Sequence, residues 1–193
     1  MHYDGGTILA IDAASRTGVA DGVPGFAPAL STIRFEADVT DNAIDVWGRA
    51  SRWINKRLAE DPPALVVVEQ PVPPHKLMNA TNHAATSIEG GLYSIFMGAA
   101  RAHGVQTLPA NIQRWRKHSL GKGNLSRDQA KTAAVALCKR LQWPAEDDNA
   151  AEAGAIWIWA CSIAAPAIAM PIPIFAPAHM SLAEYRAIRG RSA

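Results

Sequence analysis

Residues 7–18 read Thr7-Ile-Leu-Ala-Ile11-Asp12-Ala-Ala-Ser-Arg16-Thr17-Gly18. The short run TILAI predicts a buried strand, and it stops at an acid, Asp12. Gly18-Val-Ala and Leu30 to Phe35 read as the next two strands, joined by a Gly/Pro-rich turn. Further on, Ala64 to Val68 (ALVVV) is a β-branched run that again ends in an acid, Glu69. A carboxylate at the end of an apolar strand is costly to bury unless its charge is compensated. Either acid alone fits the cap of a turn at a strand edge. If the two strands are parallel neighbours, however, both carboxylates leave the sheet at the same end, and the pair points to chemistry.

The rest of the chain supplies helices around such a sheet. Asp41 is placed to cap a helix with apolar positions Ala43, Trp47, Ala50, Ile54 and Leu58, which Pro62-Pro63 ends. After the Pro-rich stretch Pro71 to Pro74, a helix carries Ile88, Leu92, Ile95, Phe96 and Ala99 on one face and stops at Gly104. Val105 to Leu108 predicts a strand, and residues 113–125 a polar, basic loop. Ser126 and Gln129 form a capping-box pattern ahead of the stripe Ala130, Ala133, Ala134, Leu137, Cys138, Leu141. A last core helix begins near Asp148. The order is a β-meander, a helix, a strand, a helix, a strand and two helices, which fits a mixed α/β sheet flanked by helices on both faces.

A third acidic group opens that last helix: Asp147-Asp148-Asn-Ala-Ala-Glu152. Favourable charge at a helix N-terminus explains Asp147 and Asp148. It explains Glu152 less well, because AGAIWIWACSIAA follows it, and an acid at the rim of a buried helix points to a ligand role. Asp148 and Glu152 are four apart and share a helix face; Asn149 and Glu152, three apart, offer the alternative pairing. Basic residues gather nearby. Residues 101–140 hold nine Lys or Arg and one acid, Asp128. Arg114, Arg116, Lys117, Lys122, Arg127 and Lys131 fall within eighteen residues with Trp115 among them. Such density suits a polyanion groove, although charge runs are commonly solvated faces. Lys131 is best placed to reach a phosphate near the acids, and Trp115 is either a base-stacking or a packed side chain.

Together these segments resemble RuvC-type Holliday junction resolvases of the RNase H-like superfamily, in particular phage-like members. Leu9-Ala-Ile-Asp12 with Arg16-Thr17-Gly18 looks like their first-strand motif, and Val66-Val-Val-Glu69-Gln70-Pro71 like their second acidic strand end. Gly90-Gly91, the segment from Arg114 to Gly123, Lys131, and Asp148 to Glu152 follow in order over residues 7–165. The resemblance implies an RNase H-like mixed five-stranded sheet with Asp12, Glu69, Asp148 and Glu152 as metal ligands and Lys131 beside them. It further implies two Mg²⁺ (or Mn²⁺) ions, branched DNA as substrate, and a homodimer. Leu92, Ile95 and Phe96 are candidates for the dimer contact. The chain departs from the family in having Glu152 where Asp is usual, and no aromatic residue directly after Glu69-Gln-Pro.

Bulk properties limit the alternatives. With 193 residues, 49% of them hydrophobic and 19% charged, the chain suits one domain over 1–193, its Pro-rich, basic stretch 166–193 packed on as an extension. That stretch includes a second capping-box pattern, Ser181-Leu-Ala-Glu184. The net charge is only +2, so affinity for nucleic acid must come from local clustering. Cys138 and Cys161 sit in apolar surroundings outside any CxxC and read as buried thiols of a cytoplasmic protein. No secretory signal is visible. Ala153 to Ala178 lacks charge, but Pro166, Pro171, Pro173 and Pro177 favour a helix to about Ile163 and a broken tail over a membrane span. An actin-like sugar kinase would need two domains and a second Gly-rich loop. A YqgF-like nuclease and a nonenzymatic branched-DNA-binding protein of the same fold remain the rival readings.

Overall fold

The computed structural model describes residues 3, 5–36, 41–71 and 83–167. The Pro-rich segment after Pro71 and nearly all of the expected extension, with its capping-box pattern, lie outside the described residues.

The elements run β1 (Ile8–Asp12), β2 (Arg16–Gly22), β3 (Ala29–Arg34), α1 (Ala43–Glu60), β4 (Leu65–Glu69), α2 (His83–Ala102), β5 (Gln106–Ala110), α3 (Ile112–Leu120), α4 (Arg127–Leu141) and α5 (Asp148–Ala164). They form one five-stranded sheet in the order β3-β2-β1-β4-β5. The first three strands are antiparallel. β4 pairs parallel to both β1 and β5. Because Ile11 pairs with Val68, Asp12 and Glu69 leave adjacent parallel strands at the same end, which meets the condition the sequence left open.

Strand alternation divides the core between two faces. Ile8, Ala10, Leu65 and Val67 pack toward α3, α4 and α5, while Leu9, Ile11, Val66 and Val68 pack toward α1 and α2. All eight are fully buried, so helices cover both faces. Two of the three expected dimer candidates belong to this interior, and the third, Ile95, is half-buried. Leu92 and Phe96 are completely buried, with Phe96 against Phe35 and Trp53, so they offer no surface to a second copy.

Two local expectations are corrected. Asn42, not Asp41, caps α1. Its side chain accepts from the backbone N–H of Ile44 and Asp45, and Asp45 returns a bond to the Asn42 N–H; Asp41 instead pairs with Arg49. The buried stripe of α1 is Val46, Ala50, Ile54 and Leu58, which leaves Trp47 beside it, half-buried. The segment expected as a basic loop contains α3. Asn111 caps it by accepting from Arg114 N–H, and Gly121 ends it in the left-handed region at φ 85°. Only Trp115 and Ser119 on this helix are buried, too few positions to give a 3.6-residue period.

α5 decides the geometry of the site. Every residue from Ala150 to Cys161 is buried, including both cysteines' neighbourhood, and Cys138 and Cys161 are free thiols. Trp157 Nε1 donates to the Ile8 carbonyl at 3.0 Å, near the start of β1. Eight residues earlier, the Asn149 carbonyl lies against Gly18, which is the partner of Asp12. Eight helical residues and four strand steps each span about 12–13 Å, so α5 runs antiparallel to β1 and its N-terminus arrives beside Asp12. Gly18 permits this approach: a Cβ there would stand 2.0 Å from the Asn149 oxygen. Gly18→Ala is therefore expected to push α5 off the sheet and destabilise the fold by about 1–3 kcal/mol or more. Urea unfolding at the wild-type midpoint would show that the contact is soft.

Among the described residues no helix is long and apolar enough to cross a membrane.

Candidate active site

At the carboxyl end of β1 and β4 lies a cleft of about 320 Å³. Asp12 and Glu69, the last residues of their strands, form its floor. Asn149 and Glu152 enter from the first turns of α5, and Glu89 from α2. Arg116 of α3, with Arg127 and Lys131 of α4, completes the lining.

Two of the acids, Glu69 and Glu152, are held by neighbours on α3. Trp115 is fully buried, and its Nε1–H donates to Glu69 Oε2 at 3.1 Å. Trp115 is thus a packed residue that orients a carboxylate and is not available to stack on a base. The Arg116 guanidinium lies over the Trp115 ring, 5.3 Å from its centroid, and donates to the Leu125 carbonyl. It stands 3.7 Å from Glu152 Oε1. Glu152 is only 6% exposed on a helix that is otherwise apolar here.

Burial and mutual repulsion make these carboxylates poor anions. Asp12 is raised well above its ordinary range by burial, then by Glu69, Glu152 and Glu89, with Lys131 opposing. Glu69 is pushed up to about 8 by burial and by Glu152, against Arg116 and the Trp115 hydrogen bond. Glu152 is raised by burial, with Arg116 and Lys131 opposing.

The remaining expected residues divide. Asp148 does not line the cleft. It pairs with Lys131, Oδ2 to Nζ at 2.6 Å, and borders a separate hollow along α4. Of the two pairings left open by the sequence, the cleft receives Asn149 with Glu152. Asp147 is the helix cap, accepting from Ala150 N–H and from the Thr32 hydroxyl. Arg114, Lys117 and Lys122 are exposed outside the cleft, on α3 and the turn that follows it. Glu89 was not anticipated, although it continues the Leu92–Phe96 stripe of α2 at i−3 and i−7, where an apolar residue is the default.

The donor set tests whether a metal fits. Carboxylate and amide oxygens line the cleft, no Cys or His does, and the acids are short of compensating charge. Hard oxygen ligands of this kind suit Mg²⁺ or Mn²⁺. Among the described residues no three His, Cys, Asp or Glu side chains already form a cage that could hold the ion. The chemistry fits, and Trp115 and Arg116 engage two of the carboxylates.

The raised carboxylates predict how metal-free protein responds to pH. Glu69 binds its proton more tightly in the folded protein, at about 8, than an ordinary glutamate does at 4.5. Its contribution is therefore fully present below about pH 4.5 and is lost as pH rises through 8. In EDTA, Tm is expected to fall between pH 5.5 and 8.5, and Glu69→Gln should flatten that fall. A variant whose Tm drops as steeply as wild type would contradict this account.

The fold is shared with solved Holliday junction resolvases. RuvC from Thermus thermophilus matches with a TM-score of 0.61 at 17% identity, over 86% of this chain and 99% of that one. T. thermophilus RuvC in complex with a Holliday junction substrate gives 0.62 at 18% over the same shares. The yeast mitochondrial Holliday junction resolvase Ydc2 gives 0.51 at 11%, over 79% of each chain. No protein-family model matches the sequence, and no curated protein does. The chain has the RNase H-like fold of RuvC, a mixed five-stranded sheet with helices on both faces.

Proposed function

We propose that this chain is a metal-dependent endonuclease that resolves branched DNA, four-way junctions above all. The observation that carries the reading is the convergence of Asp12, Glu69 and Glu152, from three separate elements, in one cleft opposite three cations on a RuvC-like fold. Asp12, Glu69 and Glu152 would hold Mg²⁺ or Mn²⁺, with the Asn149 amide beside them. Bound there, the metal supplies an activated water and a charge for the leaving oxygen of a phosphodiester. Arg116, Arg127 and Lys131 neutralise the phosphate at the cleft. Arg114, Lys117 and Lys122 extend the basic surface along the flanking DNA. Trp115 keeps Glu69 oriented.

Paired cuts on opposed strands of a junction require two sites, so the chain would act as a homodimer, through a surface other than the buried Leu92–Phe96 stripe. Residues 1–193 would form a single nuclease domain, with 166–193 an extension packed on it. A nonenzymatic branched-DNA-binding protein is the second reading, favoured by the Glu152–Arg116 ion pair.

The test is cleavage of a synthetic four-way junction, with linear duplex and flap controls, in Mg²⁺, Mn²⁺ or Ca²⁺. Junction-selective cutting in Mg²⁺ or Mn²⁺, with binding but no turnover in Ca²⁺, supports the resolvase. Junction binding without cleavage in any of the three ions supports the nonenzymatic reading.

A further inference from the structure

Three of the four carboxylates in the cleft come from the places where the acidic motifs put them; the fourth, Glu89, comes from α2. It comes from a helix on the α1–α2 face of the sheet and lines the cleft together with Arg127 at the start of α4. Leu92 and Phe96, one and two turns on, are fully buried against the sheet. The same stripe therefore brings Glu89 onto the wall of the cleft that Asp12 and Glu69 also line. A like charge at that position disfavours the metal-free protein. Among the described residues Glu89 makes no hydrogen bond or ion pair that would account for it; Arg127 acts on it only through the longer-range field.

On α5 the balance runs the other way. Asp148 is turned out of the cleft and taken by Lys131, and the neighbouring position that does line the cleft is a neutral amide, Asn149. α5 thus contributes one carboxylate where its acidic motif holds two.

From this juxtaposition we infer that Glu89 is a fourth anionic ligand of the metal site, facing the ion from the α2 wall and supplying the negative charge that Asn149 does not. The inference rests on the metal-dependent reading above. It also accounts for an apolar stripe that ends in an acid on the cleft wall, where an entering cation would offset its charge. Glu89→Gln keeps the shape and removes that charge.

The experiment is calorimetric titration of Mn²⁺ into the full chain without DNA, for wild type, Glu89→Gln and Asp12→Asn, with Tm in EDTA as the folding control. Wild type should bind Mn²⁺ and Asp12→Asn should lose it. Glu89→Gln should bind on the order of tenfold more weakly or more, while its Tm in EDTA stays at or above wild type. Glu89→Asp, which keeps the charge with a shorter reach, should fall between. If Asp12→Asn abolishes binding and Glu89→Gln binds as wild type does, the role of Glu89 is refuted and the metal-site reading stands. If wild type binds no Mn²⁺, or Asp12→Asn binds it unchanged, the metal-site reading itself fails and Glu89 with it.

Discussion

Asp12→Asn is expected to lower junction cleavage on the order of a thousandfold or more, about 4 kcal/mol of barrier, while leaving junction binding and folding largely intact. Asp12 ends the central strand of the sheet, between Gly18 of β2 and the strand that carries Glu69. It experiences every other carboxylate in the cleft, and in the proposed function it is a group that would hold the cation. Asparagine keeps the size and the backbone but removes the charge. Because that charge is unfavourable in metal-free protein, the variant should be no less stable in EDTA than wild type. Gel-shift binding, thermal unfolding and single-turnover cleavage separate the three effects. Full residual cleavage, or loss of folding, would refute the assignment.

The α5 series has nearly as large an effect and a sharper pattern. Glu152→Gln is expected to reduce cleavage by orders of magnitude. It removes the one carboxylate that α5 places in the cleft, and it frees Arg116, whose guanidinium lies 3.7 Å away. Asn149→Ala should be clearly impaired, since its amide shares that wall. Asp148→Asn should be mild, because Asp148 itself lies outside the lining and pairs with Lys131, so its loss releases a cation without removing a ligand. Asp147→Asn should retain most activity, because asparagine also caps helices well. Cleavage rates of the four variants under one Mg²⁺ concentration decide the pattern. If Asp148→Asn proves severe and Asn149→Ala silent, α5 is turned differently in the working enzyme.

The order of elements was legible because it rests on strong local signals. TILAI and ALVVV are short enough and apolar enough to be strands, and each ends in its acid. The Ser126–Gln129 capping box is present as expected, with both reciprocal bonds formed. What failed either carried few apolar side chains or depended on tertiary contacts. α3 buries two side chains, too few to show a period. Asp41 and Asn42 are both good caps, and Arg49 decides between them by engaging Asp41. Within the site, sequence spacing could not choose between Asp148 and Asn149. Adjacent residues differ by about 100° around a helix, and the rotation of α5 is set by its contacts with Gly18 and Ile8. Glu89 was hidden because a stripe of apolar residues gives no reason to ask about the polar residue at its end.

The contact between Gly18 and the start of α5 also governs when the site can open. Many active sites are carried on loops that fluctuate independently of the fold. Here Glu152 belongs to a helix buried on every side from Ala150 to Cys161, so no local opening exposes its backbone. Its amide should exchange with solvent deuterium only through the same opening that unfolds the central strands. The arm that closes the site is therefore no more mobile than the core, and whatever adjusts during a reaction cycle must be the side chains and the facing walls.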